Sequence, residues 1–289
     1  MPIKASEFIQ NPNGSVYHLN LLPEHLASTV ITVGDPDRVE RITRHFDKVE
    51  LKVRKREFHT QTGYYKGKRI SVISSGIGPD NIDIVINELD ALVNIDFKTR
   101  ELKKETTSLD IIRIGTSGSI QEEIPVDSFL ISESAIGFDG LLHFYDSEHI
   151  QNKEFAKAFI KHLDWFKQKA APYVVDASEN LINRMEGPDV HKGVTGTNIG
   201  FYGPQGRILR LALQDEKMND KMASFSFNNK KLTNLEMETS AIYGLSKLLG
   251  HKALSMNAII ANRAAGTFSK DPKKVVDDLI KYSLEQLIK

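Results

Sequence analysis

Short β-rich runs alternate with amphipathic stretches from Thr29 to the C-terminus, and few architectures accommodate that pattern. Strands buried on both faces need helices above and below, so the chain predicts a three-layer α/β/α fold around a central mixed or parallel sheet. Thr29 to Val33 reads as a buried strand, and Gly34-Asp35-Pro36 turns into a helix from Asp37 to Phe46. Pro36 suits the first helical position, where its missing N–H costs nothing. Glu57 to Tyr65 and Arg69 to Ser74 read as a hairpin across Lys66-Gly67-Lys68. Ser75-Gly76-Ile77-Gly78-Pro79-Asp80 is a turn before a helix that places Ile82, Val85, Ile86, Leu89, Leu92 and Val93 on one face.

Asp110 to Ile114 predicts a strand that stops at Gly115-Thr116-Ser117-Gly118, and Ser128 to Ile136 predicts another. Phe155 to Lys169 and Leu235 to Leu249 read as helices, the second closed by Gly250 in the position a C′ glycine takes. Lys252 to Ala261 returns to a strand, and Asp271 to Ile288 closes the chain as an amphipathic helix. No internal repeat interrupts this order, and residues 1–289 read as one domain. One stretch looks inserted: Asp96 to Ser108 carries seven charged residues among thirteen and reads as a solvated loop or helix extension.

Composition narrows the function classes. With 38 Lys+Arg against 38 Asp+Glu the net charge is zero, which disfavours non-specific nucleic-acid binding. The absence of cysteine excludes a disulfide framework, a thiolate zinc site and a cysteine nucleophile. No apolar run is long enough to span a membrane, and the N-terminus lacks the apolar core of a secretory signal. The expectation is a soluble, cytoplasmic protein. The histidines show no paired ligand spacing, so no metal site is assigned, and His59 and His143 read as structural.

Four short motifs carry the candidate chemistry. Gly34-Asp35-Pro36-Asp37-Arg38 joins a strand end to a helix start, where exposed N–H groups and the helix dipole favour an anion. An ordinary tight turn with a surface Arg explains it equally. Arg113-Ile114-Gly115-Thr116 lies at a second strand end, the edge where ligands of open α/β sheets collect. An Arg in a buried strand needs an anionic partner, which either a ligand or a structural carboxylate supplies. Glu236-Met237-Glu238 reads as the acidic opening of a helix, or as a carboxylate pair able to accept from the two hydroxyls of a sugar diol. Phe201-Tyr202-Gly203-Pro204-Gln205-Gly206-Arg207 combines aromatic faces, an amide and a cation, a set that suits a planar base or simply packs as a turn.

In this order, and together with Ser15-Val16-Tyr17-His18-Leu19 and Arg56-Glu57-Phe58, these motifs resemble the nucleoside phosphorylase family, and within it the pyrimidine branch of uridine phosphorylases. The resemblance implies a pentosyltransferase that cleaves uridine reversibly with inorganic phosphate. It implies Gly34, Arg38, Arg113 and Thr116 as the phosphate site, with Arg56 reaching the phosphate of a neighbouring subunit. It further implies His18, Glu236, Met237 and Glu238 at the ribose, His18 being donated across a dimer. Phe201, Gln205, Arg207 and Arg263 match the base site. Arg113, Gln205, Arg207 and Glu238 are the residues expected to carry catalysis: phosphate attacks C1′ through an oxocarbenium-like state while donors meet the charge on the departing base. A homodimer is the implied minimal unit, with a hexameric ring of dimers also open, and no organic cofactor is implied.

The chain departs from the family pattern in places. Asn81 stands where many bacterial relatives carry a Ser that helps hold potassium between subunits, so an ion near Glu57, Ile77 and Asn81 is left open. Gly206 replaces a common acidic residue, an exchange expected to loosen the base loop. Other readings remain: a purine nucleoside phosphorylase, which would favour an Asp near Ala261-Asn262-Arg263; a nucleosidase, which would not need three phosphate-matching arginines; and a non-catalytic nucleoside-binding protein.

Overall fold

The computed structural model describes residues 2–289. The strands are, in chain order, β1 (Thr29–Val33), β2 (Lys48–Lys55), β3 (Phe58–Tyr65), β4 (Lys68–Ser74), β5 (Ile95–Asp96), β6 (Glu101–Leu102) and β7 (Asp110–Ser119). They continue as β8 (Phe129–Gly137), β9 (Tyr173–Asp176), β10 (Val190–Thr197), β11 (Ser226–Phe227), β12 (Lys230–Glu236), β13 (Lys252–Asn262) and β14 (Thr267–Phe268). The helices are α1 (Pro36–Thr43), α2 (Pro79–Asn94), α3 (Lys153–Leu163), α4 (Glu179–Met185), α5 (Met218–Ser224), α6 (Thr239–Leu248) and α7 (Pro272–Leu287).

Twelve strands form one mixed sheet with the order β11-β12-β10-β8-β13-β7-β1-β4-β3-β2, β9 lying on β8 and β14 on β13. β12 also pairs with β7, so β7, β13, β8, β10 and β12 close into a ring. Helices cover both faces of the sheet. Ile82, Val85, Ile86 and Leu89 of α2 pack with Ala241, Ile242 and Leu245 of α6 on one side. Val39 and Ile42 of α1 and Leu279, Ile280 and Leu284 of α7 fill the other, against Ile31, Ile112 and Leu254. Full burial of each such side chain contributes about 1.5–3 kcal/mol, which is what binds the layers together. The mixed-sheet α/β architecture expected from the alternation is present.

Several boundaries differ from the sequence reading, each for a local reason. α1 stops at Thr43 and α3 at Leu163, where Asp164 turns to φ 48°. β7 does not stop at Gly115 but continues to Ser119, because β13 runs parallel beside it through Asn262. Glu236 ends strand β12 rather than opening a helix, and Glu238 is the residue that precedes α6. The charged stretch 96–108 is no simple solvated loop. Its start folds as a small hairpin of β5 and β6, and Arg100 donates to the Ile3 carbonyl at 2.9 Å and to Gln10 Oε1 at 3.0 Å. The insertion thus fastens the N-terminal segment to the body of the molecule.

Candidate active site

The carboxyl ends of β1 and β7 and the start of α1 meet at a cavity of about 460 Å³. Gly34, Arg38, Arg113, Thr116, Phe201, Gln205, Arg207, Glu236, Met237 and Glu238 all line it. These residues span the four sequence motifs, and the fold brings them to one place. Ile77, Ser117, Gly118, Ile260 and Phe268 line it too. Ser117 and Gly118 lay within a quoted motif, but nothing local marks the apolar ones as pocket residues.

Arg113 is the centre of a buried ionic cluster. Its Nη2 lies 2.7 Å from Glu238 Oε2 and 3.1 Å from Glu236 Oε2, and its Nη1 donates to Asn257 Oδ1 at 3.0 Å. Burial pulls the guanidinium toward losing its proton, but Glu236 and Glu238 outweigh it and hold the pKa above the ordinary value. Burial pushes the Glu238 carboxyl up, with Arg113 opposing and Glu236 adding to the rise. Carboxylates thus supply the partner that the buried Arg needs, and Arg113 still lines the cavity.

Gly115 makes this placement possible. A Cβ there would lie 2.0 Å from Arg113 Nη1 and 2.3 Å from its Cζ, since the guanidinium folds directly over the glycine. Gly115→Ala is therefore expected to displace Arg113, cost about 1–3 kcal/mol of stability and remove most turnover. Thermal melting and initial rates check this, and unchanged rates would show that the guanidinium has room to move.

The two acids of the Glu236-Met237-Glu238 motif differ in position. Glu236 accepts from the Glu238 and Thr239 N–H groups at 2.9 Å and 3.0 Å and from Thr197 Oγ1 at 2.7 Å, so it caps the start of α6. Glu238 accepts from the Gly78 N–H at 3.0 Å and from Arg113. Each Glu238 oxygen keeps a second lone pair, the geometry a diol requires.

Arg38 is buried, donates to the Ile114 carbonyl at 3.2 Å, and leaves its Nε without a partner. A buried cationic donor with no acceptor beside a cavity is a site waiting for an anion. Burial lowers its pKa to about 10, Asp35 working against the shift and Arg113 adding to it. Affinity for sulfate, which has no titration of its own in this range, should therefore stay level below about pH 9 and fall above about pH 10 as Arg38 loses its charge. Calorimetric titration across that range tests this, and affinity unchanged in Arg38→Met would place the anion elsewhere.

At the other end, Arg207 lies 3.8 Å over the Phe201 ring and donates to Gln205 Oε1 at 2.6 Å. Burial lowers its pKa from the ordinary value. Arg263 does not line the cavity. Its guanidinium donates to the Gln205 carbonyl and, at 3.3 Å, to the Gly206 carbonyl, so it holds the loop from behind. Gly206 follows Gln205 in this loop. It sits at φ 70°, and a Cβ there would meet Asn219 Nδ2 at 2.2 Å, while that same amide donates to the Gln205 carbonyl at 3.2 Å.

His18 and Arg56 lie outside the cavity, on a patch of their own. His18 Nδ1 is 2.7 Å from Glu88 Oε1, and Arg56, at φ 55° in the β2–β3 turn, lies 5.8 Å from the Tyr17 ring. Near the opening, Asn81 Nδ2 donates to the Ile77 carbonyl at 3.2 Å. His59 packs, buried, beside Gln61 and the Pro36 carbonyl, and His143 Nε2 is 2.8 Å from the Ala171 carbonyl.

Comparison with known proteins agrees with this geometry. The uridine phosphorylase of Thermococcus kodakarensis is 29% identical over 276 residues, covering 93% of this chain and 86% of its own. A DeoD-type purine nucleoside phosphorylase of Colwellia psychrerythraea is 27% identical, covering 94% of this chain and 98% of its own. A Trypanosoma brucei nucleoside phosphorylase, whose crystal structure shows uridine phosphorylase activity, superposes with a TM-score of 0.87 at 29% identity over 97% of this chain and 99% of that one. The family model of the phosphorylase superfamily matches residues 28–286. The chain belongs to the phosphorylase superfamily and is an enzyme of its nucleoside phosphorylase, or pentosyltransferase, kind.

Proposed function

We propose that the chain is a uridine phosphorylase, converting uridine and inorganic phosphate reversibly to uracil and ribose 1-phosphate. The observation that carries this reading is the single cavity with Arg38 and Arg113 at one end and Phe201, Gln205 and Arg207 at the other. Phosphate held by Arg38, Arg113, Thr116 and the Gly34 backbone is oriented toward C1′, which lowers the entropic cost of attack. Glu238 fixes the sugar hydroxyls while Met237 packs beside them. Gln205 and Arg207 meet the uracil edge, where negative charge develops as the base departs.

The acids lining the cavity, Asp35, Glu236 and Glu238, favour a pyrimidine over a purine. Asp35 caps α1 through the Asp37 N–H at 2.9 Å, and the two glutamates are tied to Arg113, which leaves none beside Phe201 to protonate a purine. Asn262, in the segment where a purine enzyme would favour an Asp, donates instead to the Gln121 and Ile124 carbonyls at 2.9 Å and 2.8 Å.

Three cations and three acids line the cavity, so phosphate enters a site with no surplus positive charge. That balance supports a further Arg from a second subunit. Arg56, which is exposed and shares the Tyr17 ring with the half-buried His18, serves the partner's cavity in a homodimer. Phosphorus NMR of the purified chain with uridine and phosphate tests the reaction: the ribose 1-phosphate resonance should grow as inorganic phosphate declines. Cleavage that leaves the phosphate signal unchanged would make the chain a nucleosidase.

A further inference from the structure

The ring closed by β7, β13, β8, β10 and β12 carries one buried polar circuit on its inside. Arg113 Nη1 on β7 donates to Asn257 Oδ1 on β13 at 3.0 Å. Asn257 Nδ2 donates to Ser132 Oγ on β8 at 3.0 Å, and the Ser132 and Thr195 hydroxyls of β8 and β10 meet at 2.5 Å. Thr195 Oγ1 donates to Asn234 Oδ1 on β12 at 2.8 Å, and Asn234 Nδ2 donates to Ser117 Oγ at 2.9 Å, back on β7. Asn257, Ser132, Thr195 and Asn234 are fully buried, while Arg113 and Ser117, the two ends, both line the cavity.

The two amides give every bond its direction. A guanidinium can only donate, so Asn257 turns its oxygen to Arg113 and its NH₂ to Ser132. Asn234 turns its oxygen to Thr195 and its NH₂ to Ser117. Thr195 thus spends its one proton on Asn234 Oδ1, so Ser132 is the donor in the bond the two hydroxyls share. The Ser117 oxygen thus accepts inside the ring, and its own proton and second lone pair remain for a ligand in the cavity it lines. Bonds aligned in one sense polarise each other, so charge at Arg113 strengthens the donor at Ser117.

We propose that this circuit is a positioning device: Asn257, Ser132, Thr195 and Asn234 fix the Ser117 hydroxyl at the cavity wall, where it hydrogen-bonds a polar atom of the nucleoside. The inference rests on the nucleoside phosphorylase reading of the site. It links the phosphate end of the cavity to the nucleoside through residues that touch neither substrate.

Thr195→Val keeps the side-chain shape and breaks the circuit at its midpoint, whereas Thr195→Ser keeps the hydroxyl. Thr195→Val is expected to lower kcat/KM for the nucleoside by about tenfold with the phosphate KM within about twofold, and Thr195→Ser to recover most of the loss. Ser117→Ala should give a loss of similar size, and in that background Thr195→Val should cost little more, a coupling that a purely structural role would not produce. Equal losses for both substrates, or the same Thr195→Val loss with and without the Ser117 hydroxyl, would overturn the proposal. Should Thr195→Val not fold, Ser132→Ala breaks the preceding link and enters the same cycle. Wild-type turnover is measured first: an inactive wild type would refute the phosphorylase reading, and an active wild type without coupling would refute the circuit.

Discussion

Arg113→Ala is expected to remove roughly 10³-fold of kcat/KM and about 3–5 kcal/mol of folding stability, because the same guanidinium faces the cavity and neutralises two buried carboxylates. Glu236 and Glu238 would be left 3.1 Å and 2.7 Å from where the guanidinium stood, with side chains only 2% and 7% exposed. Burial already pushes the Glu238 carboxyl up, and losing Arg113, which opposes that shift, would push it further. A carboxyl whose folded pKa lies above its unfolded value binds protons more readily in the folded state, so its folded form gains as pH falls. The variant should therefore regain melting temperature as pH falls from neutrality toward the ordinary carboxylate range, more than the wild type does. Melting curves at several pH values and initial rates check both parts. Activity retained in a destabilised variant would mean that Arg113 serves the fold alone.

Arg207→Ala should separate chemistry from phosphate binding. It is expected to depress turnover of uridine by about 10²–10³-fold while changing the phosphate KM by less than about twofold. Arg207 makes no contact with the Arg113 cluster. It stacks on Phe201 and holds Gln205 Oε1 at the far end of the cavity, where the base would leave. A charge placed there acts on the transition state more than on bound substrate, so the loss belongs in kcat. The loop is half-exposed and is held from behind by Arg263 and Asn219, so the melting temperature should hardly move. Losses of equal size in the uridine and phosphate terms would show that Arg207 also shapes the phosphate site.

The layers of the fold were legible in the sequence because the buried helical faces repeat with a regular period, as Ile82, Val85, Ile86 and Leu89 do. The motifs were legible where chemistry conflicts with burial: an Arg inside an apolar strand announces an anionic partner. What escaped was set by distant pairing. β12 had no local signal strong enough to name it a strand, and its pairing with β7 closes the ring. Gly115 read as the end of a strand because glycine usually breaks one, whereas here it is the bed on which Arg113 lies. Glu236 read as the first turn of a helix. It does cap α6, but from the end of the preceding strand. Asn257, Ser132, Thr195 and Asn234 belong to no local motif, since their common circuit exists only once five strands have met.

The proposed function requires that one cavity join a phosphate site to a pyrimidine site. The most direct measurement follows nucleoside loss and base release by chromatography, with uridine and inosine in parallel, each with and without phosphate. Phosphate-dependent release of uracil from uridine, with inosine left intact, is the expected result. Phosphate-dependent release of hypoxanthine from inosine, with uridine untouched, would contradict it and give the base end of the cavity to a purine.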